Sequence, residues 1–166
     1  MRLAPGLALA LALSACAGDI APTPPAVQMH EEKADPSIRF IGFAQPHGQA
    51  RLSYFLRSWL DKMTGIVEHQ LYVEDAFNED WQYWRTATGE DGDNLRVVYI
   101  TKNVASCAEG CKFGAQLPDA ALRTHPRGYS VTFHGRDGRE ETITVTARQI
   151  ATQLAAVDEK RAALGR

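Results

Sequence analysis

Residues 51–73 read RLSYFLRSWLDKMTGIVEHQLYV, and how this stretch is read decides the fold. Leu52, Phe55, Leu56, Trp59, Leu60 and Met63 fall on the i, i+3, i+4 spacing of a helical stripe. The residues that follow argue against a long helix. Asp61-Lys62-Met63-Thr64-Gly65 has the chemistry of a hairpin loop: an aspartate can bond the backbone just ahead of it, and a glycine is free to take positive φ. The stretch is therefore expected to be a strand over 51–60, a tight reversal, and a return strand from Ile66 to Val73.

The surroundings agree. Ile38 to Phe43 reads as a first short strand. A second hairpin is expected from Asp80–Thr88, through the turn Gly89–Asn94, to Leu95–Thr101, whose β-branched and aromatic content suits a pleated surface. In a third, Tyr129, Val131 and Phe133 alternate on one face, Gly135–Gly138 turns the chain, and Thr142–Thr146 returns with Ile143 and Val145 on one face. Thr146-Ala147-Arg148-Gln149 has the form of a capping box. It opens a closing helix with an apolar stripe of Ile150, Leu154 and Val157, and the tail from Glu159 is expected to fray. The prediction is a mainly β domain: an antiparallel β-sandwich built from successive hairpins, with a C-terminal α-helix.

The chain has 166 residues, enough for one domain once its ends are set aside. Its net charge of −2 is spread as single basic residues among acids, with no basic stripe of the kind a nucleic-acid surface needs. No nucleic-acid partner is expected. The one long apolar run, Leu7 to Ala17, is shorter than the roughly 20 residues that cross a bilayer and has the length of a signal-peptide core.

Arg2, an apolar core over Gly6–Leu13, and then Leu13-Ser14-Ala15-Cys16 together resemble the lipobox of bacterial lipoproteins. That resemblance implies that residues 1–15 are a signal peptide, that the Cys16 thiol receives a diacylglycerol, and that its freed amino group is acylated. Two or more acyl chains anchor a protein stably where one does not. It also implies a membrane partner through the lipid. Ala17, rather than aspartate, follows Cys16, which in that family points to the outer membrane, facing the periplasm. Plain secretion, with Cys16 incidental, is the alternative. Residues 16–37, with Pro22, Pro24, Pro25 and Pro36, are expected to be an extended linker, leaving 38–166 as the folded domain. The order of an Asp61–Gly65 hairpin, a Trp-rich strand (Trp81, Trp84), a close cysteine pair and Gly128-Tyr129 loosely resembles small uncharacterised proteobacterial envelope proteins. That likeness implies no site residues.

Cys107 and Cys111 form Cys-Ala-Glu-Gly-Cys. In an oxidising periplasm the expectation is a structural disulfide. Two sharper readings compete. One is a redox dithiol. The other is a copper site resembling those of thioredoxin-fold copper-delivery proteins, with His125 or His134 as third ligand. The 55 residues after Cys111 hold only a hairpin and a helix, too little to complete a thioredoxin unit.

The remaining candidates have plainer readings. His30, His47, His69, His125 and His134 show no metal spacing and read as surface or turn residues. Glu74, Asp75, Glu79 and Asp80 read as a solvated loop rather than a calcium site. Trp81, Tyr83 and Trp84, with Trp59, are the best candidate ligand surface, an aromatic platform for a glycan or peptide, although alternating tryptophans usually belong to a core. There is no Gly-rich phosphate loop, no Gly-x-Ser-x-Gly elbow, no evident Ser/His/Asp order and no cofactor motif. These features point to a non-enzymatic outer-membrane lipoprotein that binds or assists an envelope protein partner. Thiol redox or copper handling through Cys107 and Cys111, and inhibition of an envelope hydrolase, are the alternatives.

Overall fold

The computed structural model describes residues 26–48, 52–75, 84–100, 111–136 and 138–166. The strands expected around the Asp61 loop are present as β4 (Leu52–Asp61) and β5 (Val67–Asp75), paired antiparallel from Leu52↔Asp75 to Leu60↔Val67. Asp61 builds the reversal: one carboxylate oxygen accepts from the Met63 and Thr64 backbone N–H groups at 2.9 and 2.7 Å and from the Thr64 hydroxyl at 2.9 Å. Those Thr64 bonds hold the Asp61 carboxyl below its ordinary range. Gly65 closes the turn at φ 71°, where a Cβ would be strained.

The helical spacing in β4 is a by-product of alternation. Leu52, Tyr54, Leu56, Ser58 and Leu60 are buried on one side; Ser53, Phe55, Arg57 and Trp59 are half-exposed on the other. Both faces carry large side chains, so the apolar positions alone mimic a period of 3.6.

Two antiparallel sheets build on this hairpin. Before it lie β1 (Gln28–Glu31), β2 (Ser37–Ile41) and β3 (Gln45–His47). After it come β6 (Trp84–Gly89), β7 (Asn94–Leu95), β8 (Val97–Tyr99) and β9 (Cys111–Leu117). A short α1 (Asp119–Thr124) precedes β10 (Gly128–Gly135), β11 (Glu140–Thr146) and α2 (Ala147–Ala163). The larger sheet runs β1-β2-β4-β5-β9-β8, with β3 also on β4; the smaller runs β11-β10-β6-β7. The fold is mainly β with a C-terminal helix, as expected.

Several details differ from the sequence reading. The second hairpin does not return as one strand. Residues 94–95 pair with β6, and residues 97–99 cross to β9 in the other sheet. Within the stretch read as linker, Gln28–Glu31 is an edge strand on β2. Cys111 opens β9 rather than lying in a loop. The closing helix continues to Ala163 instead of fraying from Glu159. Its capping box is formed as expected, with Thr146 and Gln149 bonding reciprocally.

The core lies between the sheets. Leu56, Leu71, Val73, Phe113 and Leu117 of the larger sheet meet Tyr129, Val131, Phe133, Ile143 and Val145 of the smaller one, with Ile150 of α2. Phe113 and Phe133 meet edge-on at 5.1 Å beside Trp84. The Tyr54 hydroxyl donates to the Thr144 carbonyl at 2.9 Å, tying β4 to β11. A second cluster of Ile38, Phe40, Leu60 and Val157 sits where α2 crosses β2 and β4. Sheet and helix thus cover one face of the larger sheet, and among the described residues no element lies over the other.

Gly114 sits where two strands' backbones approach closely. A Cβ there would stand 2.2 Å from the Leu71 carbonyl oxygen, a backbone atom with nowhere to go. Gly114→Ala should therefore lower stability by about 1–3 kcal/mol, the usual cost of overpacking, read as a drop in urea midpoint. An unchanged midpoint would mean that the strands relax freely there.

Candidate functional site

Two polar systems grow from the β4–β5 pair, one on each face. On the inner face, Ser58 and His69 are Cα partners, and both are fully buried. Ser58 Oγ lies 2.7 Å from His69 Nδ1, and His69 Nε2 lies 2.9 Å from an Asp119 carboxylate oxygen. Arg123 donates from Nε to the other Asp119 oxygen at 2.8 Å and grips Asp158 of α2 with both terminal nitrogens. Gln153 donates from Nε2 to Ser58 Oγ at 2.8 Å.

The direction of each bond follows from the ends. Asp119 only accepts, so His69 carries its proton on Nε2. Nδ1 is then an acceptor, and Ser58 donates to it while receiving from Gln153. Burial pushes the His69 imidazole below the ordinary histidine range, against the pull of Asp119; Arg123 and Arg161 lower it further. Asp119 is held low by Arg123 and His69 despite its own desolvation.

A serine, a histidine and an aspartate in hydrogen-bonded series was not anticipated from the sequence, and His69, expected at the surface or in a turn, is in the core. The order has the look of a nucleophilic triad. However, Ser58 has no exposed surface, so no carbonyl can be brought within attacking distance of its oxygen. The series instead fastens α1 and α2 to the underside of β4 and β5.

On the outer face, no layer of described residues covers the sheet. Arg57 lies between two rings, 5.1 Å from the centre of Trp59 and 4.6 Å from that of Tyr72, and Tyr72 stacks on Phe55 at 4.5 Å. This packing buries Gln70 and Tyr72 although they point away from the core. Desolvation pushes the Arg57 guanidinium below its ordinary range, and nearby Arg39 adds to that. A groove of about 630 Å³ runs over this face, lined by Arg57, Trp59, Ile66, Gln70, Arg96 and Gln116, with Asp61 and Glu68 also on its wall.

Trp84 is buried against Phe113 and Phe133, so it belongs to the core; Trp81 and Tyr83 lie outside the described residues. Trp59, the fourth member of that expected platform, does line the groove. Cys16, Cys107, Glu79 and Asp80 also lie outside the described residues. Cys111 is buried. His125 contacts Asp91 at 3.3 Å, and His134 is held by Glu140 and Thr88 on the smaller sheet. Among the described residues no group of three or more His, Cys, Asp or Glu side chains is placed to hold a metal ion. Glu74 pairs with Lys112 at 3.3 Å, and Asp75 is buried. No described helix is long and apolar enough to cross a membrane. Comparison with protein-family models, with curated proteins and with solved structures finds no match for the chain.

The His69 series has a measurable consequence. Unfolded, this histidine takes up a proton near pH 6.5; folded, it does so only at lower pH. Its contribution to stability is therefore complete above about pH 6.5 and declines as pH falls, by up to about 1.4 kcal/mol per pH unit. Urea midpoints measured from pH 7.5 to 5.5 should fall, and His69→Gln should flatten that slope. An equal slope in the variant would place the proton uptake elsewhere.

Proposed function

We propose that the chain is a lipid-anchored accessory protein, held to the outer membrane by Cys16 and facing the periplasm. In this reading it has no reaction of its own and binds an envelope protein partner through the outer face of the larger sheet. The observation that supports a binding role is the uncovered groove. It combines cations, amides and Trp59 on strands whose opposite side is locked into the core. A rigid sheet presents such groups with little ordering cost on association. The anchor rests on the lipobox resemblance of Leu13-Ser14-Ala15-Cys16.

Intact-mass measurement of protein extracted from cells tests the anchor: a diacylglyceryl-modified N-terminal cysteine at position 16 is expected, and an unmodified thiol or a retained leader would refute it. For the binding face, a photo-crosslinking residue at Arg39, an exposed position beside Trp59, should capture an envelope protein in living cells. The same residue at Glu140, exposed on the smaller sheet, should not. Equal capture at both positions, or none, would count against this face.

The reading also keeps Cys107 and Cys111 as a structural bridge, consistent with the buried start of β9. Closing so short a loop contributes about 2 kcal/mol by restricting the unfolded chain. Cys107→Ser should lose about that much in urea unfolding, and the native wild type should yield no titratable thiol from the pair. Rapid labelling of both cysteines without denaturant would show a reactive dithiol instead.

A further inference from the structure

The groove floor holds one cross-strand row. Arg57 on β4 pairs with Gln70 on β5, Gln70 pairs with Gln116 on β9, and the Gln116 backbone N–H donates to the Arg96 carbonyl at 2.9 Å, just ahead of β8. The four residues lie side by side over roughly 14 Å, three strand spacings of about 4.8 Å. Arg57 donates from Nε to Gln70 Oε1, and Arg96 donates from Nε to Gln116 Oε1 at 2.9 Å.

This arrangement has a definite polarity. A guanidinium can only donate, so the glutamine atom facing each Nε must be the carbonyl oxygen. Each of those oxygens has spent an acceptor site on an arginine. Left over are the terminal N–H groups of two guanidiniums and the N–H groups of two amides, for which the described residues provide no hydrogen-bond partner. Nor does any described carboxylate form an ion pair with Arg57, Arg96 or the adjacent Arg39. A half-buried arginine packed between rings and left without a counter-charge is costly. Arg57 is placed in this way, and Arg96, exposed at the far end of the row, adds a second cation and its donors to the same surface.

We propose that the row Arg57–Gln70–Gln116–Arg96 is a carboxylate receptor whose ligand is an extended acidic segment of the partner protein. The inference rests on the binding role proposed above and gives that role its ligand chemistry. A guanidinium presenting its two terminal nitrogens matches a carboxylate in two parallel bonds. An extended peptide repeats same-face side chains about every 6.8 Å, so acidic residues two or four apart can engage both arginines. The aromatic rings argue against a sugar ligand. Phe55 and Tyr72 cover each other, and Arg57 lies over Tyr72 and Trp59, so stacking surface at the row is already occupied. Trp59, Ile66 and Val98 on the walls suit apolar residues flanking the acids. Asp61, engaged in its own loop, and Glu68 are the opposing charges on the wall; Glu68 lies nearer the row. It belongs to the next row, as the Cα partner of Trp59, and it should weaken the ligand rather than hold it.

The probe is an N-acetylated hexaglutamate peptide titrated into the whole purified chain by calorimetry. Binding is expected at low salt and should be lost near 0.5 M salt, where screening is nearly complete over about 4 Å. Arg57→Gln and Arg96→Gln should each weaken it about tenfold or more, the worth of a charge-assisted pair. Glu68→Gln should tighten binding, and Arg127→Gln, at the turn before β10, should leave it unchanged. Urea midpoints equal to wild type would certify that the variants are folded. Absence of peptide binding, or equal binding by a folded Arg57→Gln/Arg96→Gln double variant, would overturn the receptor. Tighter binding of polyphosphate or polygalacturonate than of the peptide would overturn the ligand class. Capture at Arg39 in cells with no peptide binding leaves the accessory role standing and sinks this inference. Peptide binding that needs both arginines, with no partner captured, does the reverse.

Discussion

The alternation along β4 constrains the rest of the molecule, because each face of that strand carries a chemical system of its own. Leu52, Tyr54, Leu56 and Leu60 turn inward with Ser58 among them, while Phe55, Arg57 and Trp59 turn outward. A slip of one residue against β5 would exchange the two sets. It would put Arg57 into the core opposite α2 and leave Leu56 in water. The register is therefore held from both sides, by burial beneath and by the ring–guanidinium stack above. The Asp61 carboxylate, which collects three hydrogen bonds within its own loop, sets where the chain turns and so which residues of β5 face which of β4.

What could be read from the sequence is what local chemistry decides. The Asp61–Gly65 reversal, the Gly135–Gly138 turn and the Thr146–Gln149 capping box each depend on residues within a few positions of one another, and each is where it was expected. The crossing at Arg96 was not legible. Leu95-Arg96-Val97 looks like unbroken strand, and only the packing of two sheets decides that Leu95 belongs to one and Val97 to the other. Strand β9 was hidden by Gly114 and Ala115, poor strand formers, of which the close approach of Leu71 requires the glycine. Met29 and its neighbours were hidden by the prolines before them.

The site was less legible than the fold for a similar reason. Arg57, Gln70, Arg96 and Gln116 are scattered over sixty positions and form no motif; only the order β4-β5-β9-β8 places them in line. The same holds for Ser58, His69 and Asp119, which a linear scan passes over because the intervals between them mean nothing until the strands are paired. Of the aromatic residues expected to form a platform, Trp84 and Trp59 are the two among the described residues, and they part ways. Trp84 is held in the core by two phenylalanines, whereas Trp59, on a strand with one open face, is the tryptophan that reaches the groove.

The two polar systems on β4 and β5 differ in one respect that separates support from recognition. The inner one is closed between Ser58 and Asp158. Gln153 donates to Ser58, Ser58 to His69, His69 to Asp119, and Arg123 donates to the same carboxylate and on to Asp158. Along that series every transferred hydrogen has an acceptor and the charges end in opposite pairs, although the Gln153 Oε1 at its head is buried without a hydrogen-bond partner. The outer system is open. Its two glutamine oxygens receive from the two arginines, and the other side-chain N–H groups of the row have no partner among the described residues. Water can satisfy those donors individually, but it supplies no negative charge to Arg57, crowded against aromatic rings, or to Arg96 at the other end of the row. An anion would complete on the outer face the same accounting that Asp119 completes on the inner one, and that imbalance is the physical ground for looking there for a ligand.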